Sequence, residues 1–467
     1  MLKRLFRRWF HLSSPANQPS APGQKPAASP ARPTALDQQA PLRQTQDADA
    51  PAGATLEKVI ICREPVLNRQ QKIAGYQFML NDAAHGNIRL KSRQIMHLCA
   101  EVLVQNLLRA NLGSLHKRFA FIDIPDSFLD HPCLTGLPPA NTFFILCPVE
   151  NAPPPSASYL STHVRALRKL GYRIGIQDPT TNNAYFHLLP EADLVYMQPH
   201  TDIGQGMNLV RHILKLAPEA ALLVRDLPGM EDFDFCYRIG VTLFQGGFVT
   251  SRENWQATHL GPNFARIATL LNKLRQDADT KEIASLLKQD AAITLRLLRY
   301  INSAANGLRE HVSSIERSLA LLGRAPLQRW LSLMLCASDR KQPRSAAVLE
   351  TALVRARTME LLAAARPAAV REAMFLTGLL SLIDVILQQP IEHALDALAI
   401  DTDIRDGISG VNGPYAPALA LAQACESMNA ERVIAAAAAC GVDPEQASTC
   451  YMEALAWTLT LQNENAD

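Results

Sequence analysis

The chain has no long hydrophobic run. No stretch reaches the roughly 18–20 apolar residues that a membrane-spanning helix requires, and the nearest, Ala373 to Leu387, is interrupted by Asp384. An excess of one charge is missing too. Lys and Arg number 46 against 44 Asp and Glu, a formal charge of +2, which gives no generally basic surface for nucleic acid. The nine cysteines are scattered, odd in number and without a C-x-x-C pair. That pattern argues against a zinc ribbon and a disulfide framework and suits a reducing cytosol. Large apolar residues are almost absent from Ser13 to Ala54, where eight prolines sit among Ala, Gln, Ser and Gly. Such a piece cannot bury enough surface to fold and reads as an extended tether.

What remains is substantial: 467 residues, nearly half of them apolar, enough for two ordinary domains. Ahead of the tether, Met1 to Leu12 places Leu2, Leu5, Phe6 and Trp9 on one helical face and Lys3, Arg4, Arg7 and Arg8 on the other. Such a segment can lie in an anionic membrane interface; the plainer reading is a frayed tail, since twelve residues make a marginal helix. It is no secretory signal, because arginines interrupt every candidate apolar stretch.

From Lys58 onward, short apolar runs alternate with longer mixed segments. The runs are Val59 to Cys62, Tyr76 to Leu80, Phe119 to Ile124, Phe143 to Cys147, Arg173 to Ile176, Leu194 to Met197, Ala221 to Val224 and Val241 to Phe244. Helical patterns such as Gln94 to Ala110 and Ser161 to Leu170 lie between several of them. Alternating strand and helix implies a mainly parallel sheet, and about eight strands in some 200 residues suggest an α/β barrel of TIM type, whose functional groups sit at the strands' C-terminal ends. A connector near Trp255 to Asn263 then leads into an all-α region. The expected divisions are 1–57 for the basic segment and tether, 58–256 for the barrel and 257–467 for the helical bundle.

Within the bundle, Asp290 to Gly323 carries the clearest punctuation. Ile293, Leu297, Leu298 and Ile301 recur at helical spacing, and Asn302, Ser303, Asn306 and Gly307 predict a stop near Asn302. Ser313 with Glu316 predicts a capping box for a second helix ending at Gly323, and Pro326 suits the first turn of a third. Beyond it Ala347 to Ala365, Ala373 to Gln388, Ala418 to Met428, Ala430 to Ala439 and Pro444 to Leu461 read as further helices.

Asp290, the Asn302–Ser303 pair, Gly307, Ile315, the Leu322–Gly323 pair and the flanking Leu286 and Leu287 together resemble the HDOD domain. That resemblance implies a relative of the HD phosphohydrolases that serves in signalling without their metal site. After Gly378-Leu379-Leu380, the places of the His-Asp pair hold Ser381 and Leu382, which cannot bind a divalent metal as an imidazole and a carboxylate do. The segment before it resembles the EAL domain, the barrel that hydrolyses cyclic di-GMP with two metal ions. The resemblance rests on Glu64-Pro65 followed by Gly75-Tyr76, on Gly171 to Gly175, and on Phe244 to Gly247. Against the EAL pattern, Gln77 stands for the signature glutamate, Asn81 for an arginine, Asp123 for an asparagine and Cys147 for the first of two acids. Glu150 survives; Gln177 and Asp178 replace paired aspartates. Tyr196 and Gln198 replace the lysine and aspartate of a Lys-Ile-Asp motif, Arg225 aligns with a metal-binding glutamate, and Gln245 is intact.

Two metals need several converging carboxylates, so neither metal nor other cofactor is expected, and neither is catalysis. Gln77, Asp123, Glu150, Asp178, Arg225 and Gln245 are candidates to converge at the barrel mouth, either as a metal-free ligand pocket or as a structural cluster of ion pairs that replaced the metals. The loss of a phosphate partner at Asn81 favours the second. Cys147, with no histidine near it in the motif, reads as a buried small apolar residue. The expected function is non-catalytic signal transduction in the cytosol, or at the inner face of the membrane through residues 1–12, with a protein partner bound by the HDOD region. The alternative is a non-hydrolysing cyclic di-GMP receptor. DNA binding around Arg296 to Arg317 is disfavoured because Glu310 and Glu316 balance the arginines.

Overall fold

A computed structural model describes residues 59–463, apart from 83–92, 110–114, 116–117, 150–151, 179–182, 198–201, 303–311, 338–342, 399, 411–412 and 428. The amphipathic segment and the tether therefore lie outside the described residues, as do Glu150, Gln198, Ser303, Asn306, Gly307 and Glu310.

Eight strands close into a barrel in chain order: β1 (Val59–Asn68), β2 (Ile73–Asp82), β3 (Phe119–Pro125), β4 (Thr142–Cys147), β5 (Arg173–Gln177), β6 (Leu194–Met197), β7 (Ala221–Val224) and β8 (Leu243–Gln245). Neighbours from β2 to β8 are parallel, but β1 runs antiparallel to both β2 and β8. The turn explains the departure. Only four residues separate β1 from β2, far fewer than a parallel crossover needs. Asn68 makes the reversal by accepting the N–H groups of Gln70 and Lys72 on Oδ1 at 3.0 and 3.1 Å, and Gln71 takes positive φ at 54°.

Among the described residues, four helices pack around the barrel: α1 (Arg93–Arg109), α2 (Ala157–Lys169), α3 (Ile203–Leu216) and α4 (Met230–Ile239). Alternation along the strands sorts the residues. Val66, Phe121, Ile145, Leu194 and Leu223 fill the interior, while Ala120, Ile122 and Ile124 face the helices.

The second half is all helix among the described residues: α5 (Pro262–Arg275), α6 (Thr280–Lys288), α7 (Ala291–Ile301), α8 (Ile315–Leu322), α9 (Arg324–Cys336), α10 (Ser345–Leu362), α11 (Ala368–Leu380), α12 (Ile383–Leu387), α13 (Ile391–Asp396), α14 (Thr402–Ser409), α15 (Ala416–Cys425), α16 (Ala430–Cys440) and α17 (Pro444–Asn463). No described helix is long and apolar enough to cross a membrane. Helix α7 ends on Asn302, whose amide joins the Leu298 and Val312 carbonyls. Helix α8 ends on Gly323 at φ 77°. Its N-cap is Ser314, whose hydroxyl accepts the Arg317 N–H at 3.1 Å, one residue later than the expected Ser313. The single helix expected over Ala373 to Gln388 is broken at Ser381–Leu382 into α11 and α12. There Ser381 Oγ donates to the Gly378 carbonyl at 2.7 Å, and Arg252 of the barrel segment donates to the Ser381 carbonyl at 3.1 Å.

The two halves share buried contacts. Because the β1–β2 hairpin has no crossover helix, the bundle covers that wall: Leu455 and Leu459 of α17 and Ala347 of α10 join the barrel's outer cluster. Arg118, just before β3, makes a two-pronged pair with Glu350 of α10 at 2.6 and 3.0 Å. Glu350 is 1 % exposed. Burial, with the charge of Arg63 nearby, lowers the Arg118 guanidinium to about 10.

Two predictions follow from local geometry. A Cβ at Gly378 would lie 2.6 Å from Ala356 Cα where α11 crosses α10. Gly378→Ala should therefore cost about 1–3 kcal/mol, read in denaturant unfolding; an unchanged midpoint would refute the close approach. Asp290 caps α7 by accepting the Ala292 and Ile293 N–H groups. The Ile293 bond chiefly, helped by Arg266 and the Ala292 N–H, outweighs the opposing effect of burial and holds its carboxyl below the usual range. A depressed carboxyl stabilises above its ordinary pKa and loses that contribution as pH falls. Asp290→Ala should cost about 1 kcal/mol at pH 7, and the gap from the parent should narrow below about pH 4; a gap independent of pH would contradict the charged cap.

Candidate functional site

The barrel mouth is formed by the C-terminal ends of β2 to β8 and, because β1 is reversed, by the N-terminal half of β1. Cross-strand register sets Glu64 beside Gln77 and Val66 beside Gln245. Glu64 and Gln77 share a face of the hairpin, and both point into the barrel.

At the centre sits Arg225, at the end of β7 and 4 % exposed. Its Nη1 and Nη2 donate to the two oxygens of Asp123, at the end of β3, at 2.9 and 2.8 Å. Gln77 Nε2 donates to the same Asp123 Oδ1 at 2.7 Å. The guanidinium lies over the Tyr196 ring, 4.5 Å from its centroid, so the tyrosine supplies a π face where the EAL pattern has a lysine. Burial opposes the charge of Arg225, but the Asp123 carboxylate and its hydrogen bonds outweigh it, and the guanidinium pKa rises. A second pair lies alongside: Gln245 Nε2 donates to Glu64 Oε2 at 2.5 Å.

Of the six expected residues, the structure thus joins Gln77, Asp123 and Arg225, and sets Gln245 against Glu64. Asp178 follows β5 and is 1 % exposed, its N–H bound to the Tyr196 carbonyl at 2.9 Å; Glu150 lies outside the described residues. Cys147 corrects the reading made from sequence: it is only partly buried at the end of β4, its thiol pointing to the Ile145 carbonyl at 3.8 Å. Sequence reasoning passed over Glu64 and Tyr196 as members of the site, although both belong to the motifs that carry the EAL resemblance. It also passed over Asp126, beyond β3 and 1 % exposed, which accepts the Tyr185 hydroxyl at 3.0 Å. Burial raises the Asp126 carboxyl above its usual range against that hydrogen bond, and raises the Tyr185 phenol as well.

This donor set does not suit a pair of divalent ions. Both oxygens of Asp123 are taken by a guanidinium, and two of the neighbouring groups are neutral amides. Among the described residues no three His, Cys, Asp or Glu side chains gather closely enough to share an ion. Gln77 Oε1, Gln245 Oε1 and Arg225 Nε are buried without a protein partner, which leaves polar atoms for water or a polar ligand to satisfy.

In the bundle, the position corresponding to the His-Asp pair is also met by an arginine. Arg355 of α10, 3 % exposed, donates to Ser381 Oγ at 2.7 Å and to both oxygens of Glu426 at 2.8 and 2.7 Å. Leu382 is buried beside it.

Comparison with known proteins bears chiefly on the helical region. Residues 260–400 match the HDOD domain model, so the class is an eight-stranded α/β barrel followed by an HDOD domain. Along most of its length the chain is similar to the uncharacterised protein YuxH of Bacillus subtilis, 22% identical over 414 residues, covering 87% of this chain and 99% of that one. It is similar to the cyclic di-GMP phosphodiesterase CdgJ of Vibrio cholerae, 23% identical over 411 residues, covering 86% and 93%. Among solved structures it is similar to an EAL domain protein of Listeria monocytogenes (16% identity, 41% of this chain and 86% of that one, TM-score 0.33). A standalone EAL protein of Vibrio cholerae gives 15% identity, 41% and 91% coverage, and a TM-score of 0.35.

Removing Arg225 takes a two-pronged guanidinium away from Asp123, whose side chain is only 10 % exposed. Arg225→Ala should lose about 3–5 kcal/mol of stability, and Asp123→Asn combined with Arg225→Met should lose less than the single change. Chemical denaturation measures both, and an Arg225→Ala protein as stable as the parent would exclude the pair as a structural tie.

Proposed function

We propose that this protein is a non-hydrolysing signalling protein of the cyclic di-GMP type, in which the barrel is a regulatory body and the HDOD domain binds a protein partner. The observation that carries the reading is the Arg225–Asp123 pair, which puts a fixed positive charge where a two-metal hydrolase needs converging negative charge. The substitution at Tyr196 removes a further group that would orient an attacking water. What is left for such a chain to do is recognition. Leu295 on α7 and Leu321 on α8, 48 % and 51 % exposed, offer apolar contacts on two neighbouring helices of the HDOD region. A second reading, a receptor that binds cyclic di-GMP without cleaving it, draws support from the unpartnered Gln77, Gln245 and Arg225 atoms at the mouth and from the name of the Vibrio cholerae relative.

Incubation of the full chain with cyclic di-GMP and magnesium or manganese should give no linear product above the protein-free control; turnover at a steady enzymatic rate overturns the proposal. Calorimetric titration separates the two readings, since a saturable heat at micromolar dinucleotide supports the receptor and a flat trace to high micromolar supports the interaction protein. Leu295→Asp with Leu321→Asp should deplete the partners captured from the protein's own cells while leaving the fold intact by circular dichroism. An unchanged set of partners would move the interaction surface elsewhere.

A further inference from the structure

Between the outer side of β1 and the bundle lies a cavity of about 320 Å³. It opens where β1 and the segment after β8 meet α10, α15, α16 and α17. Four arginines line it: Arg63 of β1, Arg252 after β8, Arg355 of α10 and Arg432 of α16, with Glu64 and Glu426 as the acidic groups. The pairings within this set are unequal. Arg355 holds both oxygens of Glu426, and Arg252 holds Asp384 of α12 at 2.5 Å. Glu64 is engaged by Gln245 from the barrel side. Among the described residues, Arg63 and Arg432 are left without a carboxylate.

Arg63 is the unusual member. It is 2 % exposed, and its Nε and Nη1 are buried without a hydrogen-bond partner. Its guanidinium is flanked by aromatic faces instead, 4.1 Å from the Tyr76 centroid of β2 and 5.6 Å from that of Tyr451 of α17. Ring faces compensate part of the burial of a cation, yet they satisfy no N–H donor. A buried guanidinium lining a cavity with donors unspent is suited to accept an anion. The alternation of β1 puts Arg63 on the opposite face from Glu64, so Arg63 is not part of the mouth cluster around Arg225, which the cavity adjoins at Glu64.

We propose that this cavity is a binding site for a small phosphorylated molecule, held by Arg63 of the barrel and Arg432 of the bundle and thereby tying the two together. A phosphate dianion supplies the missing negative charge and enough acceptor oxygens for donors from both. The cavity is at the small end of ligand pockets, which run from about 300 Å³ upward, and so suits inorganic phosphate or a mononucleotide better than a large cofactor. The site stands independently of whether the barrel mouth binds or cleaves a dinucleotide.

The test uses the full chain. Thermal unfolding and calorimetry are followed with sodium phosphate, with GMP in a second arm, and with sodium chloride at matched ionic strength. Phosphate should raise the unfolding midpoint beyond the chloride control, and tighter binding of GMP would identify a nucleotide rather than free phosphate as the occupant. Arg432 is exposed at the rim, so Arg432→Ala tests the site without risk to the core, and should weaken phosphate binding about tenfold, the worth of one charge-assisted contact. Arg63→Gln should abolish it, and where that variant does not fold, Arg432→Ala alone decides. No phosphate-specific shift over chloride, or an affinity unchanged in Arg432→Ala, overturns the proposal.

Discussion

The arrangement of the whole molecule depends on a single uncovered wall. A barrel of strand–helix units ordinarily buries each strand's outer face beneath its own crossover helix. Here β1 enters as the first arm of a tight hairpin and has none. Its outward residues and the Tyr76 ring on β2 must be covered by something else, and the bundle supplies the cover through α10 and α17. The Arg118–Glu350 pair lies in that seam, where neither charge has much access to water. Truncating either partner would strand the other, so the pair fixes the register of the two halves more than it adds to their attraction.

Two arginines bear on the positions where the resemblance expects metal ligands, Arg225 at one of them and Arg355 against Ser381 at another. Arg225 neutralises Asp123 in the barrel and Arg355 neutralises Glu426 beside Ser381 in the bundle. A buried carboxylate needs a counter-charge whether or not catalysis is retained, and a guanidinium meets that need with fixed geometry and no exchangeable ligand. The price is adaptability: such a pair cannot bind and release as a metal-bound water does. The same logic runs through the bundle, where Arg329 joins Glu360 and Glu372 while stacking on Phe375. Burial holds Glu372 above the usual carboxyl range against the pull of Arg329. Arg329 and Arg357 outweigh the effect of burial on Glu360 and hold it below.

Much of the framework was legible because it follows from local periodicity. Short apolar runs marked seven of the eight strands to within three residues, since a strand buried on both faces needs little else to be recognised, whereas the first strand runs six residues beyond Cys62, to Asn68. Asn302 and Gly323 marked helix ends because their side chain or backbone freedom acts within one turn. Ser314 rather than Ser313 as the cap is the size of error that local reasoning leaves. The break at Ser381 was not legible. It depends on Arg355 and Arg252, which reach Ser381 from 26 and 129 residues away, and no window along the chain contains both.

The sequence by itself determined the kind of elements, their order, and the residue types at the positions where the resemblance expects metal ligands, because side-chain chemistry and spacing are properties of the chain alone. Only the tertiary structure decided which of those residues meet. Asp123 and Arg225 lie 102 residues apart and are joined by closure of the barrel. Arg63 faces Tyr451 across 388 positions only because the hairpin strand lacks a helix and α17 packs there. Long-range pairing depends on how strands register and helices cross, and no local pattern encodes it.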